Sequence, residues 1–369
     1  MSTVFVSAGE PSGDAHAAAL VAALRRAAPA LEVEGVGGPA LAAAGARLMA
    51  RIEKLTVLGF AEVLTKVPAH WRLLGAIERR LARGDVRLVI LTDYPGFHLR
   101  VAAAAHRLGV PVMYYIAPQL WAWHESRVKN MARDVAHLAV ILPFEERFFR
   151  ERGVRTTFVG HPLLDRPGVG TRAEVKVRLG LDPARPVLGL FPGSRAQESK
   201  RLWPVFRDAA RIVMAQRPEV QCLVAAAGAS AYTDADGVRV VTGRPAECFV
   251  AADAALSKSG TTTLEAALAG TPQVIAYRMN PLSYLLARGL VRVPFIGMVN
   301  LVAERLVAPE FVQADATPQR LASAAMPLLR EDSAERRAQL EGMAFVRGRL
   351  GGPGAAARAA AIARELLAA

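Results

Sequence analysis

The sequence predicts an α/β protein made of two doubly wound domains facing a cleft. Three observations predict it. Short β-branched runs alternate along the chain with Ala/Leu/Arg-rich helical stretches, the rhythm of parallel sheets covered by helices. At 369 residues the chain is longer than one ordinary core organises. The alternation also pauses once near the middle and then restarts.

In chain order, the strand candidates of the first half are Thr3–Ser7, Leu88–Thr92, Val112–Ile116 and Leu138–Leu142, with helices over Asp14–Arg26 and Leu99–Leu108. The pause lies between about Leu163 and Arg185, where prolines and glycines suit an interdomain linker. "PVLGLFPGSR" then restarts the pattern. Strands Val187–Phe191, Cys222–Ala226 and Gln273–Ala276 follow, with helices Leu202–Gln216 and Thr261–Leu268 between them. The expected domains are residues 1–168 and 169–345, with a helical tail over 346–369 behind the glycine break "GGPG" that packs back on another part of the protein. Ligands of such sheets bind beyond the carboxyl ends of the strands, so the turns that follow strands are where a site is expected.

Composition narrows the function classes. About half of the residues are apolar, so disorder is not expected. The two cysteines, Cys222 and Cys248, have no CxxC partner, which points to a reducing compartment and excludes a disulfide framework. The N-terminus lacks the pattern of a signal peptide, and no apolar run reaches the ~18 residues of a membrane span. A cytoplasmic protein is expected. The formal charge of +13 suits an anionic lipid or substrate. No nucleic-acid partner is expected, because no DNA-binding signature accompanies the charge.

Three glycine turns follow strands. In "VSAGEPSGD", Glu10, Ser12, Gly13 and Asp14 are candidates to line a substrate; Asp14 as a helix cap is the alternative. In "LFPGSRAQE", Gly193 allows close backbone approach, Ser194 follows it, and Arg195 offers a planar fork for phosphate oxygens. In "SKSGTTTLEAALAG", Ser259, Gly260, Thr261 and Thr262 can present hydroxyls and N–H groups at a helix start, which suits a diphosphate. Glu265, a turn further on, can accept ribose hydroxyls. An ordinary threonine cap is the alternative. Two phosphate-competent turns in one domain suggest a nucleotide-sugar site.

In "TDYPGFH", Asp93 ends an apolar strand and is a candidate general base; an aspartate ordering its own turn is the alternative. "YYIAPQLWAWHESRVKNM" offers Trp121, Trp123, His124 and Arg127 to sugar faces and phosphate, with aromatic core packing as the competing reading. Val63, Leu64, Val67, Trp71 and Leu74 fall at helical spacing ahead of several arginines, as a membrane-contacting helix or a core helix would. No metal-binding cluster is visible, and neither a metal nor another cofactor is expected. Leaving-group charge would then be met by arginine and helix dipole.

Ten stretches together resemble the lipid-A-disaccharide synthase family: "SAGEPSGD", "GVGGPALAAAG", "LTVLGFAEVL", "DYPGFH", "YYIAPQLWAW", "LPFEERFF", "VGHPLLD", "LFPGSRAQE", "SKSGTTTLEAALAGTPQVIAYRMNPL" and "NLVAERLVAPEFVQ". Their order and spacing cover nearly the whole chain. The resemblance implies an inverting glycosyltransferase of the GT-B architecture, with two Rossmann-like domains. It would join UDP-2,3-diacylglucosamine to 2,3-diacylglucosamine 1-phosphate, giving the β-1,6-linked disaccharide 1-phosphate and UDP. It also implies a peripheral protein at the cytoplasmic face of the inner membrane, and a homodimer in which carboxyl-terminal segments are exchanged. By position, Asp93 matches the family's essential aspartate and Arg195 the arginine that stabilises the departing diphosphate. Ser259, Gly260 and Thr261 match the phosphate cradle, Glu265 the ribose carboxylate, and Asn300 an asparagine near the donor. Arg278, Glu310 and Gln313 fall in family motifs, which implies Arg278 at the UDP and Glu310 and Gln313 lining the sugars. Two departures stand out: His98, a candidate to line the acceptor sugar, takes the place of the family's usual asparagine, and Val299 that of a proline beside Asn300. Competing readings are a UDP-N-acetylglucosamine epimerase, another GT-B lipid glycosyltransferase, and a basic lipid- or nucleic-acid-binding module without chemistry.

Overall fold

The computed structural model describes residues 3–52, 60–123, 125–226, 232, 234–280, 284 and 293–369, with the backbone alone over 60–67. The chain forms two compact units, Met1–Asp165 with Leu350–Ala369, and Arg166–Arg349.

The first unit is built on one parallel sheet. Its strands are β1 (Thr3–Ala8), β2 (Glu32–Gly37), β3 (Arg47–Arg51), β4 (Val86–Thr92), β5 (Val112–Tyr115), β6 (His137–Val140) and β7 (Thr156–Phe158), in the order β3-β2-β1-β4-β5-β6-β7. Strand β1 is buried along its whole length, because helices cover both faces of a parallel sheet. On one face Phe5, Val89 and Leu91 pack with Leu74, Ile77, Phe97 and Val101. On the other, Val4, Val6, Leu88 and Ile90 pack with Leu20 and Leu24 of the helix Pro11–Ala27 and with Ala359, Ile362 and Ala363 of the helix Ala355–Ala368. The last helix of the chain thus folds back to complete the first unit's core. The order reverses between β1 and β4, which pair Ser7 with Leu91 and Ala8 with Thr92. The residues after them, Gly9–Glu10 and Asp93–Tyr94, therefore leave the sheet side by side at its switch point.

The second unit repeats the scheme. Strands β8 (Val187–Phe191), β9 (Gln221–Ala226), β10 (Val238–Thr242), β11 (Ala254–Lys258), β12 (Gln273–Tyr277) and β13 (Glu310–Val312) lie in the order β10-β9-β8-β11-β12-β13, all parallel. Here the switch point falls between β8 and β11, where Phe191 pairs with Ser257. The Gly193 and Gly260 turns follow these two strands, so topology alone makes them neighbours. At the opposite, amino ends of the strands, buried Lys176 donates to Asp253 Oδ2 at 2.8 Å, and Arg172 donates to Asp253 Oδ1 at 3.2 Å. The same carboxylate accepts the Val187 N–H at 2.9 Å, which ties the start of β8 to the residue that leads into β11.

Helices begin earlier than periodicity alone predicts. Those expected from Asp14 and Leu99 start at Pro11 and Pro95. Proline at the first helical position carries no N–H that needs a partner, so the helix begins at it. Part of the expected linker is itself a helix, Arg172–Arg178, capped by the Thr171 hydroxyl and by Glu174, which accepts the Thr171 N–H at 2.8 Å. Leu74 corrects one expectation: it is a core residue against Ile77 and Val89 and offers nothing to a membrane. Trp71, three residues before it, is 58 % exposed, with the Arg100 guanidinium 5.6 Å from its ring centre. Val63, Leu64 and Val67 lie outside the residues whose side chains are described. Among the described residues no helix is long and apolar enough to cross a membrane.

Candidate active site

Asp93 and Tyr94 occupy consecutive left-handed backbone conformations, φ 52° and 53°. For residues other than glycine this costs roughly 1–2 kcal/mol each, so surrounding structure must impose it. The restraint is visible. The Asp93 carbonyl accepts two 2.6 Å hydrogen bonds, from the Tyr114 hydroxyl and from His98 Nδ1. Tyr94 is wedged against Gly9, where a Cβ would lie 2.2 Å from the Tyr94 ring, so only glycine admits it. The Tyr94 hydroxyl and His70 Nε2 are 2.6 Å apart. Burial and the charge of Glu10 together push the Tyr94 phenol upward. Half-buried Asp93, Glu10 and the exposed Ser12 are thus gathered at the carboxyl ends of β1 and β4.

Three residues expected to line this site, Asp14, Gly13 and His98, stand behind it. Asp14 is 2 % exposed, and its oxygens accept the N–H groups of Gly38 (2.6 Å), Ala40 (2.9 Å) and Leu41 (3.3 Å). It caps the neighbouring short helix Pro39–Ala43 on the same face of the sheet, and does not cap its own helix. Gly13 is buried beneath the turn, 3.5 Å from the Thr92 carbonyl at its Cβ position. His98 is fully buried and held between Asp93 and Ser7 Oγ, the latter at 2.8 Å from Nε2. Burial pushes its imidazole down to about 4, so it is neutral at physiological pH. A carbonyl can only accept, which puts the proton on Nδ1 and leaves Nε2 to accept from Ser7.

In the aromatic segment, Trp121 takes the packing role. Its indole N–H donates to Glu145 Oε1 at 3.0 Å, and its ring meets Phe144 edge-on at 5.0 Å. Trp123 is half exposed and Arg127 exposed, so both present surface to a ligand; His124 lies outside the described residues.

In the second unit the Gly193 turn and the Gly260 turn are joined by an ion pair that no motif singles out. Lys258, the last residue of β11, donates to Glu198 Oε1 at 2.9 Å. Glu198 sits in the first turn of the helix Ala196–Gln216, and Arg195 Nη1 lies 3.9 Å from the same oxygen. Gly193 has φ 114°, and a Cβ there would meet Glu198 Oε2 at 2.7 Å. Its carbonyl accepts the Ser199 hydroxyl at 2.9 Å, which pins the turn. Ser194 and Arg195 are left exposed, Arg195 with 72 % of its side chain in solvent. Lys258 Nζ lies 5.9 Å from the centre of the Tyr277 ring, at the end of β12. Two cations, the Glu198 carboxylate between them, a glycine turn and the amino end of a long helix thus converge; Arg195, mostly in solvent, is the cation of this set open to phosphate oxygens.

The Gly260 turn divides its hydroxyls. Ser259 is nearly buried and donates to the Ile296 carbonyl at 2.6 Å, and Thr263 donates to the Gly260 carbonyl at 2.9 Å. These two shape the turn. Thr261 is exposed and Thr262 half-buried, so these two can reach a ligand. Glu265 accepts from Arg166 at 2.6 Å. Behind the turn, fully buried Asn300 donates to the Ala308 carbonyl and to Glu310 Oε1, each at 2.8 Å, and accepts the N–H groups of Val307 (2.7 Å) and Ala308 (2.9 Å). Glu310 in turn accepts the N–H groups of Ile296 and Gly297 at 2.9 and 2.8 Å. Gln313 accepts the Met279 N–H at 2.8 Å, and Arg278 donates to the Ala316 carbonyl at 2.8 Å. Asn300 and Arg278, expected at the UDP, and Glu310 and Gln313, expected to line the sugars, thus bond to neighbouring backbone and to one another.

Comparisons with known proteins identify the family and the fold. Residues 4–351 match the family model described as Lipid-A-disaccharide synthetase. A lipid-A-disaccharide synthase of Anaeromyxobacter dehalogenans is 42 % identical over 373 residues, covering 99 % of this chain and 96 % of its own. That of Geobacter metallireducens is 40 % identical over 375 residues, covering 99 % and 97 %. Among solved structures, the calicheamicin glycosyltransferase CalG4 superposes with a TM-score of 0.63 at 19 % identity, covering 99 % of this chain and 98 % of that one; this likeness shows the fold, GT-B. With two glycine turns at the second unit's switch point and an aspartate at the first unit's, the chain belongs to the lipid-A-disaccharide synthase family.

Proposed function

We propose that Asp93 is the general base of this enzyme and that Arg195 and Lys258 meet the charge of its leaving group. The overall reaction is the family's: a sugar is transferred from UDP-2,3-diacylglucosamine to 2,3-diacylglucosamine 1-phosphate, giving the β-1,6-linked disaccharide 1-phosphate and UDP. In the proposed mechanism the Asp93 carboxylate takes the proton of the acceptor's 6-hydroxyl as its oxygen attacks the anomeric carbon. The bond to the UDP oxygen breaks on the opposite face, which inverts the configuration. Negative charge grows on the diphosphate, where Arg195, Lys258 and the Gly260–Thr261 turn stabilise it. Glu265, oriented by Arg166, accepts the ribose hydroxyls. Glu10, Ser12, Trp123 and Arg127 contact the acceptor sugar and its phosphate.

The observation that carries this reading is the Lys258–Glu198–Arg195 bridge between two adjacent strand-end turns. The test is UDP release measured with both lipid substrates, with each alone, and with chelator present. Release that requires both lipids and survives chelation supports the reading. Acceptor-independent turnover of a UDP-sugar would replace it with the epimerase reading, which the family match does not favour.

Trp71, with Arg72 and Arg100 beside it, is proposed to touch an anionic membrane surface, as a protein working at the cytoplasmic face of the inner membrane would. The resemblance also implies a homodimer, which sedimentation of the purified chain measures directly.

A further inference from the structure

We infer that Ser7, His98 and Tyr114 form a clamp that aims the Asp93 carboxylate, acting on its backbone and touching no substrate. The inference rests on the reading of Asp93 as the base. A strain motivates it: the residue whose carboxylate must be placed most accurately stands, with Tyr94 after it, in a left-handed backbone conformation that costs any residue carrying a Cβ. Without an external restraint the peptide would relax toward negative φ and swing the carboxylate away. The restraint comes from two directions. Tyr114 reaches from β5, where it pairs with Leu91 of β4, and donates to the Asp93 carbonyl. His98 reaches back from the helix Pro95–Arg107 and donates to the same oxygen. The two donors together fill that oxygen's lone pairs and fix the orientation of the peptide plane.

Ser7 makes the clamp specific. It lies near the end of β1, is fully buried, and its hydroxyl supplies the one hydrogen that Nε2 of a neutral His98 can accept. The ring therefore holds a single tautomer, with Nδ1–H directed at Asp93. Burial disfavours a second proton on the ring, the rings of Tyr94, Phe97 and Tyr114 surround it with centres between 5.7 and 6.4 Å away, and the bonds at its two nitrogens set its orientation. His98, Tyr114 and Ser7 are positioning residues of the transfer step.

Steady-state kinetics on variants of the full chain test this. Tyr114→Phe and His98→Leu should each lower kcat roughly 10- to 100-fold, the size expected when a catalytic group is misplaced by an ångström or less. KM for the donor and the affinity for UDP should not move, because those contacts belong to the other unit. His98→Asn should recover most of the loss. Its amide nitrogen stands one bond from Cγ, as Nδ1 does, and can still donate to the Asp93 carbonyl. In an Asp93→Ala background, adding Tyr114→Phe should change the residual rate less than about two-fold, since there is then nothing left to aim. If Tyr114→Phe and His98→Leu fold with unchanged UDP affinity and keep wild-type kcat, the clamp is wrong. It is equally wrong if Tyr114→Phe costs as much without Asp93 as with it. Normal turnover of Asp93→Ala alone overturns the assignment of the base, and the clamp with it.

Discussion

Asp93, the proposed general base, shows at the residue scale how a fold places a side chain. Its position at the carboxyl end of β4 follows from the sequence, but its orientation depends on hydrogen bonds to its carbonyl from residues 5 and 21 positions away. Asp93→Ala is expected to lower turnover about 10²–10⁴-fold while leaving UDP affinity nearly unchanged, as loss of a general base does. Calorimetric titration with UDP beside a turnover assay reads both halves. A turnover loss matched by a loss of UDP affinity would mean that the substitution had disturbed the fold instead. Lys258 is the complementary case. In the sequence it merely stands beside a glycine turn, and its ion pair with Glu198 depends on β8 and β11 being neighbours.

At the scale of elements, two largely buried carboxylates hold the architecture, in different ways. Asp253 anchors Lys176, Arg172 and the first residue of β8. Removing one member of such a set leaves the others buried and uncompensated, so Asp253→Ala should destabilise the second unit by about 3–5 kcal/mol in a denaturant titration. Glu145 is fully buried at the start of the helix Pro143–Arg150, where it accepts from Trp121 and from the Leu142 N–H, and burial pushes its carboxyl up to about 7. The folded state then holds a proton that the unfolded chain releases near the ordinary carboxylate value. The stabilisation from this group is complete below that value and is lost as pH rises through about 7. Unfolding measured between about pH 5 and 8 should show this decline in the wild type and a flatter profile in Glu145→Gln. An equally steep decline in the variant would assign it to other groups.

For the whole molecule, the excess of basic residues and an exposed tryptophan matter together. Trp71 stands out from a helix whose next inward residues, Leu73 and Leu74, are core. Trp71→Ser should weaken co-sedimentation with anionic vesicles without lowering thermal stability, and raised salt should weaken it in both proteins. Unchanged vesicle binding would remove the membrane role from this helix. The returning helix Ala355–Ala368 is the other whole-molecule feature: the chain's last residues finish the core that its first strand begins.

The sequence by itself determined the α/β class, the two-fold repetition of a doubly wound unit, the family, and which turns follow strands, since β-branched runs, glycine punctuation and ordered motifs are local signals. Strands such as Ala254–Lys258, rich in alanine and fully buried up to Ser257, carry no such signal and escape a reading of the sequence alone. Only the tertiary structure decided which polar residues near the motifs stand exposed at the strand ends and which are buried and bonded behind them. Asp14, His98, Asn300 and Glu310 bond to backbone groups brought close by the sheets. Leu74 went to the core for the same kind of reason: helical spacing sets a face, but only packing says what that face meets. Hydrogen-bond partners far apart in the chain are set by strand order, and strand order is not written in any one stretch of residues.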